Sequence, residues 1–273
     1  MLDELHSRIG REQPIDALPR LLRAYADSLH PAVVGAMHIS CADEAEWECA
    51  DAFQRHFVMP LLPELKHAEK SPFRLSNLGA RYEWGALAVA EQHFATHAAG
   101  RSFKLLVVKI NSHVAAVGHG AELRFGALQR YGEYSTACGA LHLLLAGNIK
   151  PYLNDLRSGY MLDGVNRLRL LDDSAKVDPR WRSLLLAVVN ARAQGRRVER
   201  DIAQLTPKGP TRYLVVSAVT LNRGADADTE VLCGVSVADA EYSGASSRYT
   251  GLGDDPTLIR VETGGELLML SRV

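Results

Sequence analysis

Cysteine is scarce and scattered. Cys41, Cys49, Cys138 and Cys233 are the only four in 273 residues, with no CxxC pair and no spacing that suggests a disulfide framework. Charge of one sign is also missing: the formal net charge is −1, which argues against the strongly basic surface of a dedicated nucleic-acid binder. No run approaches the roughly eighteen apolar residues of a membrane span. The opening stretch MLDELHSRIGREQPIDALPR is charged throughout, unlike a secretory signal. Phosphate-loop, dinucleotide-fold, kinase and GxSxG signatures are absent too. These absences predict a soluble, cytoplasmic protein with reduced thiols, no membrane partner and a small molecule as substrate; they leave a homo-oligomer open.

What is present is 47% hydrophobic and 23% charged residues, enough apolar chain for a sizeable core. The first hundred residues read as mainly helical. In PIDALPRLLRAYADSLH, Leu18, Leu21, Leu22, Tyr25 and Leu29 fall at helical spacing before Pro31. In DEAEWECADAFQRHFVMPLL, Trp47, Ala50, Phe53 and Phe57 form a stripe up to Pro60, and in LGARYEWGALAVAEQHFATHAAG, Ala86, Ala90 and Phe94 do so up to Gly100. Later segments alternate. DPRWRSLLLAVVNARAQG predicts a helix capped by Asp178, opened by Pro179 and ended at Gly195. RYLVVSAVTLN and EVLCGVSVA read as strands, and TLIRVETGGELLMLSRV as a hairpin turning at Gly264 and Gly265. The expectation is a single α+β domain over 1–273, a helical N-terminal layer (1–100) packed on a mixed or antiparallel sheet, with strands and interspersed helices over 101–273.

The chemistry concentrates around KLLVVKINSHVAAVGHG. Val, Leu and Ile mark a buried strand, yet Lys109, Asn111 and His113 occupy alternate positions and so share one face. They either meet solvent or line something. Nearby, STACGALHLLLAG predicts a short helix capped by Ser135 or Thr136 and stopped at Gly147, with Cys138 in its first turn and His142 one turn on. A helix N-terminus stabilises a thiolate.

If helix and strand row share a pocket, two chemistries follow. In the first, a hydrolase or transferase uses Cys138 as nucleophile, with His142 or His113 as base and Asn111 or Lys109 on an oxyanion. In the second, Cys138, His142 and His113 are ligands of a transition metal such as zinc, with a fourth position open to water. Arg130, Ser135 and Arg248 are candidate substrate-binding residues, Arg130 because it precedes the helix N-terminus. The third expectation is a non-enzymatic interaction protein using the Arg192, Arg196, Arg197 and Arg200 cluster together with the Ser/Gly-rich stretch EYSGASSRYTGLGDDPT, whose Asp254 could close over a site. His93 and His97 stand one turn apart but lack the Glu of a zinc-protease helix, Glu83 is too far away to complete their set, and VGHGAE with His119 and Glu122 reads as a turn. GADADTE, with Asp226, Asp228 and Glu230, reads as an exposed hairpin tip.

Overall fold

Val33–Cys41 and Lys104–Val117, two β-rich runs with few polar interruptions, lie side by side at the centre of the molecule. The computed structural model describes residues 1–61, 72–94, 103–118, 123–126, 128–130, 133–135, 138–145, 181–207, 209–224, 226–240, 248–250, 260–263 and 266–269. The strands are β1 (Glu12–Pro14), β2 (Val33–Cys41), β3 (Phe73–Asn77), β4 (Lys104–Val117), β5 (Arg124–Phe125), β6 (Leu128–Arg130), β7 (Glu133–Ser135), β8 (Thr211–Asn222), β9 (Thr229–Ala240), β10 (Arg248–Thr250), β11 (Arg260–Thr263) and β12 (Glu266–Met269). The main sheet has the order β1-β9-β8-β4-β2-β3, with β10 on β9 and β5 on β4; β3, β2, β4 and β8 run parallel, β9 runs antiparallel to β8, and β1 antiparallel to β9. The sheet is therefore mixed, and the fold is α+β.

Helices cover both faces. On one lie α1 (Leu2–Ser7), α2 (Ala17–Leu29) and α3 (Trp47–Phe53), the last running through a π turn at Gln54–Val58 into α4 (Met59–Leu61). Their apolar residues pack with Leu105, Val107, Leu214 and Val216. On the other face lie α5 (Ala86–His93) and α7 (Arg182–Ile202), with the short α6 (Gly139–Leu145) at one end, packed on Leu106, Val108, Ile110, Val114 and Val219. This odd–even split along β4 is the period-2 alternation of a strand buried on both sides.

Several sequence expectations hold. α2 buries Leu18, Leu21, Leu22 and Tyr25, β8 and β9 are the predicted strands, and β11 pairs with β12 through Thr263↔Glu266. Others are corrected. Within 1–100, β2 and β3 are strands. Trp47 is 71% exposed, because Glu46 and Cys49, rather than Trp47 and Ala50, turn toward the polar row of β4. Gly195 does not end α7, which continues to Ile202; an added Cβ there would run into Ser217 Oγ, so the glycine serves close helix–sheet approach. Asp228 and Glu230 are buried, which overturns the exposed hairpin tip for these two. Thr136, Gly147, Asp178, Pro179, His97, His119, Glu122 and Asp254 lie outside the described residues.

Candidate metal centre

Strand order locates the site before any side chain is considered. From β2 the chain pairs outward to β3 on one side, while β4 and β8 lie on the other, so β2 and β4 flank a topological switch point. In open sheets of this kind ligands gather beyond the carboxyl ends of the strands flanking that point. The β2–β4 ladder ends with Ser40↔Asn111. β2 stops at Cys41, while β4 runs on, so His113 emerges two residues past the ladder with no β2 residue paired beside it.

Three groups converge there. Ligand atoms of Cys41, His113 and Cys138 all lie within 4.8 Å of one another and all three residues are buried. The two sulfurs are 3.4 Å apart, and none of the four cysteines is in a disulfide. Tetrahedral zinc with thiolate bonds near 2.3 Å would hold two sulfurs about 3.8 Å apart, so the donor set and its spacing suit zinc. His113 Nε2 is buried without a hydrogen-bond partner, and Asp43 Oδ2 stands 3.9 Å from it. A small neighbouring pocket is lined by His113, Val114, Gly126, Cys138, Leu141, His142 and Ser183.

The electrostatics favour one anion. The hydrogen bond from Cys138, and then His113, lower the Cys41 pKa against the opposing effect of burial. Cys138 is pushed up by that same bond, which requires it to keep its proton, and by burial. For His113, burial opposes the charged form, but Cys41, Glu46 and Asn222 outweigh it and carry its pKa up to about 9. Both shifts favour a thiolate at Cys41 and an imidazolium at His113. Gly79 N–H also points at Cys41 Sγ, 3.3 Å away.

The row on β4 is buried throughout. Lys109 meets Glu230 Oε1 at 2.5 Å and Cys49 Sγ at 3.2 Å. Asn111 Nδ2 donates to Glu46 Oε2 at 2.5 Å and to Thr220 Oγ1 at 2.6 Å. His113 Nδ1 pairs with Asn222 Oδ1 at 2.9 Å. Of the three, only His113 lines the pocket; Lys109 and Asn111 are committed to buried partners, away from any oxyanion position there.

Of the predicted residues, the structure brings Cys138 and His113 together. His142 is exposed on the pocket wall, and Cys41 rather than His142 completes the trio. Ser135 is on β7, Arg130 on β6 and Arg248 on β10. His93 packs against Phe73, the ring centres 5.2 Å apart and the planes tilted by 40°. Sequence reasoning missed Cys41 and Asp43. Their one local signal was a cysteine at the end of an apolar run, CAD, following VVGAMHIS.

No protein-family model matches the chain, and no curated protein resembles it in sequence. Solved structures share the fold. One is PtLCIB4, a homolog of the limiting CO2-inducible protein LCIB, with a TM-score of 0.63 at 15% identity over 91% of this chain and 99% of that one. Another is the limiting CO2-inducible protein LCIB, with a TM-score of 0.52 at 16% identity over 88% of this chain and 94% of that one. The likeness extends over nearly the whole length of each.

Proposed function

We propose that this chain is a metal-dependent enzyme in which Cys41, His113 and Cys138 hold zinc, acting on a small molecule with an electrophilic carbon, carbon dioxide being the first candidate. The observation that carries the reading is the buried convergence of two thiols and one imidazole within 4.8 Å, among the described residues one ligand short of a tetrahedron, as in catalytic rather than structural sites. The choice of substrate is supported by the shared fold with proteins described as limiting CO2-inducible or homologous to one.

Cys41, His113 and Cys138 would hold the zinc, which would supply Lewis acidity and lower the pKa of a water it binds. The chain's residues do the rest. Cys41 contributes a thiolate kept anionic by its neighbours. Asp43 stands beside His113 Nε2 and can hold a hydrogen bond from the attacking water. Val114 and Leu141 make part of the pocket wall apolar, and exposed His142 is placed to pass a proton to solvent.

Reduced, zinc-supplemented protein is expected to carry one zinc per chain and to speed CO2 hydration, followed by stopped flow with a pH indicator. Cys41→Ser and His113→Ala should lose both metal and rate. His142→Ala should keep the metal and slow only in weak buffer, with recovery on adding imidazole. Protein that takes up no zinc with all thiols reduced would sink the reading.

A second reading keeps the hydrolase or transferase with a cysteine nucleophile. It is favoured by the Cys41–His113 charge pair, which makes Cys41 the nucleophile in place of Cys138. Alkylation of metal-free protein that labels Cys41 ahead of Cys138, together with turnover in the presence of a chelator, would select it.

A further inference from the structure

Asn222, at the last position of β8, makes three contacts. Its Nδ2 donates to the Ala45 carbonyl at 2.7 Å and to Asp228 Oδ2 at 2.8 Å. A backbone carbonyl and an ionised carboxylate can only accept, so the amide nitrogen must face them and Oδ1 must face His113 Nδ1, 2.9 Å away. An acceptor at Nδ1 requires a proton on Nδ1. Nε2 is then the nitrogen left for a ligand, and it is the one without a hydrogen-bond partner.

We infer that Asn222 is a positioning residue that fixes the ring of His113 with Nδ1 protonated and Nε2 presented to the site, and at the same time ties that ring to the turn after Cys41. The inference rests on the metal reading above. Its geometry is a chain of hydrogen bonds: Arg223 N–H donates to Asp228 Oδ1 at 2.8 Å, Asp228 accepts from Asn222, and Asn222 accepts from His113. Ala45, the other acceptor, belongs to the short 3-10 turn Glu44–Glu46, just past Cys41. One amide thereby links the segments bearing two of the three ligands. Water cannot replace it readily, because Asn222 is 2% exposed and His113 0%. Outer-shell partners that orient a ligating histidine act in this way.

The test uses zinc, with cobalt as a spectroscopic stand-in. Asn222→Ala is expected to weaken zinc binding about 10- to 100-fold in competition with a chromophoric chelator, while the sulfur-to-cobalt charge-transfer bands persist. It should also abolish a solvent-protected Nδ1–H resonance of His113 in metal-free, ¹⁵N-histidine-labelled protein. Exchanging the pair, Asn222→Asp with Asp228→Asn, keeps an acceptor at Nδ1 and a donor–acceptor contact between the two side chains, but gives up the bond to the Ala45 carbonyl. It is expected to bind zinc more tightly than Asn222→Ala, because the acceptor at Nδ1 is restored. A residue that merely braces the hairpin would change the unfolding midpoint and leave affinity alone, so unchanged affinity in folded Asn222→Ala overturns the inference. If wild type itself binds no zinc, the metal reading falls. The wild-type Nδ1–H resonance, which needs no variant, still decides the orientation of His113: its presence upholds the ring geometry and its absence overturns it.

Discussion

At the scale of residues, three polar side chains are tolerated on one buried strand face because each has a partner of matching chemistry. Lys109 meets Glu230, Asn111 meets Glu46 and Thr220, and His113 meets Asn222. For Lys109 burial alone favours the neutral amine, but Cys49 and Glu230 outweigh it and keep the ammonium charged. The consequence for stability is asymmetric. Lys109→Met leaves the Glu230 carboxylate buried without its cation and is expected to cost about 3–5 kcal/mol. The double variant Lys109→Met/Glu230→Leu, which removes both charges, should recover most of that loss. Urea unfolding of the two proteins checks this; equal destabilisation would show that packing against Phe53, whose ring centre is 5.5 Å from Lys109 Nζ, matters more than charge.

At the scale of elements, α7 holds the loop that faces Cys41. Asn190, Gln194, Arg197 and Asp201 recur along one side of the helix. Asn190 Nδ2 donates to Gly79 O at 2.6 Å, Gln194 Oε1 accepts from Tyr82 N at 2.9 Å, Arg197 donates to Tyr82 O at 3.2 Å, and Asp201 accepts from the Tyr82 hydroxyl and from Gly85 N. These contacts hold Gly79, at φ 74°, with its N–H aimed at Cys41 Sγ. The helix can come this close because Gly195 faces Ser217. In an open helix position Gly→Ala gains about 1 kcal/mol. Here Gly195→Ala should gain nothing or destabilise with Ser217 present, and recover the gain in a Ser217→Ala background. A double-mutant cycle with a coupling of about 0.5 kcal/mol or more is the expected result, and additivity would contradict close packing.

At the scale of the whole molecule, burial of the site's carboxylate makes folding sensitive to pH. Burial pushes the Glu46 pKa from 4.5 up to about 7, despite the opposing influence of His113, Asn111 and Lys109. The folded protein therefore binds a proton that the unfolded chain has released between about pH 4.5 and pH 7. Glu46 contributes most stability below that window and loses it as pH rises through the folded value. Glu46→Gln removes the titration. In metal-free, reduced protein its urea midpoint should gain on that of wild type as pH rises from 5 to 8. A constant difference between the two would place Glu46 at its ordinary pKa.

Periodicity and composition, properties of neighbours along the chain, determined the α+β class, α2, the central strand β4, β8, β9 and the β11–β12 hairpin. They also singled out His113 and Cys138, because a polar row on an apolar strand and a thiol at a helix start are local anomalies. Tertiary structure decided the remainder. Cys41 lies 72 residues before His113 in sequence and reaches it only because β2 and β4 are parallel neighbours at a switch in strand order. The partners of the row, Glu230, Glu46 and Asn222, come from three other segments whose acidic and amide residues look solvated when read alone. Gly195 looks like a helix stop until the sheet lies against it. Each of these depends on which surfaces meet, and pairing between distant segments is set by the register and burial of the folded sheet rather than by the spacing of residues along the chain.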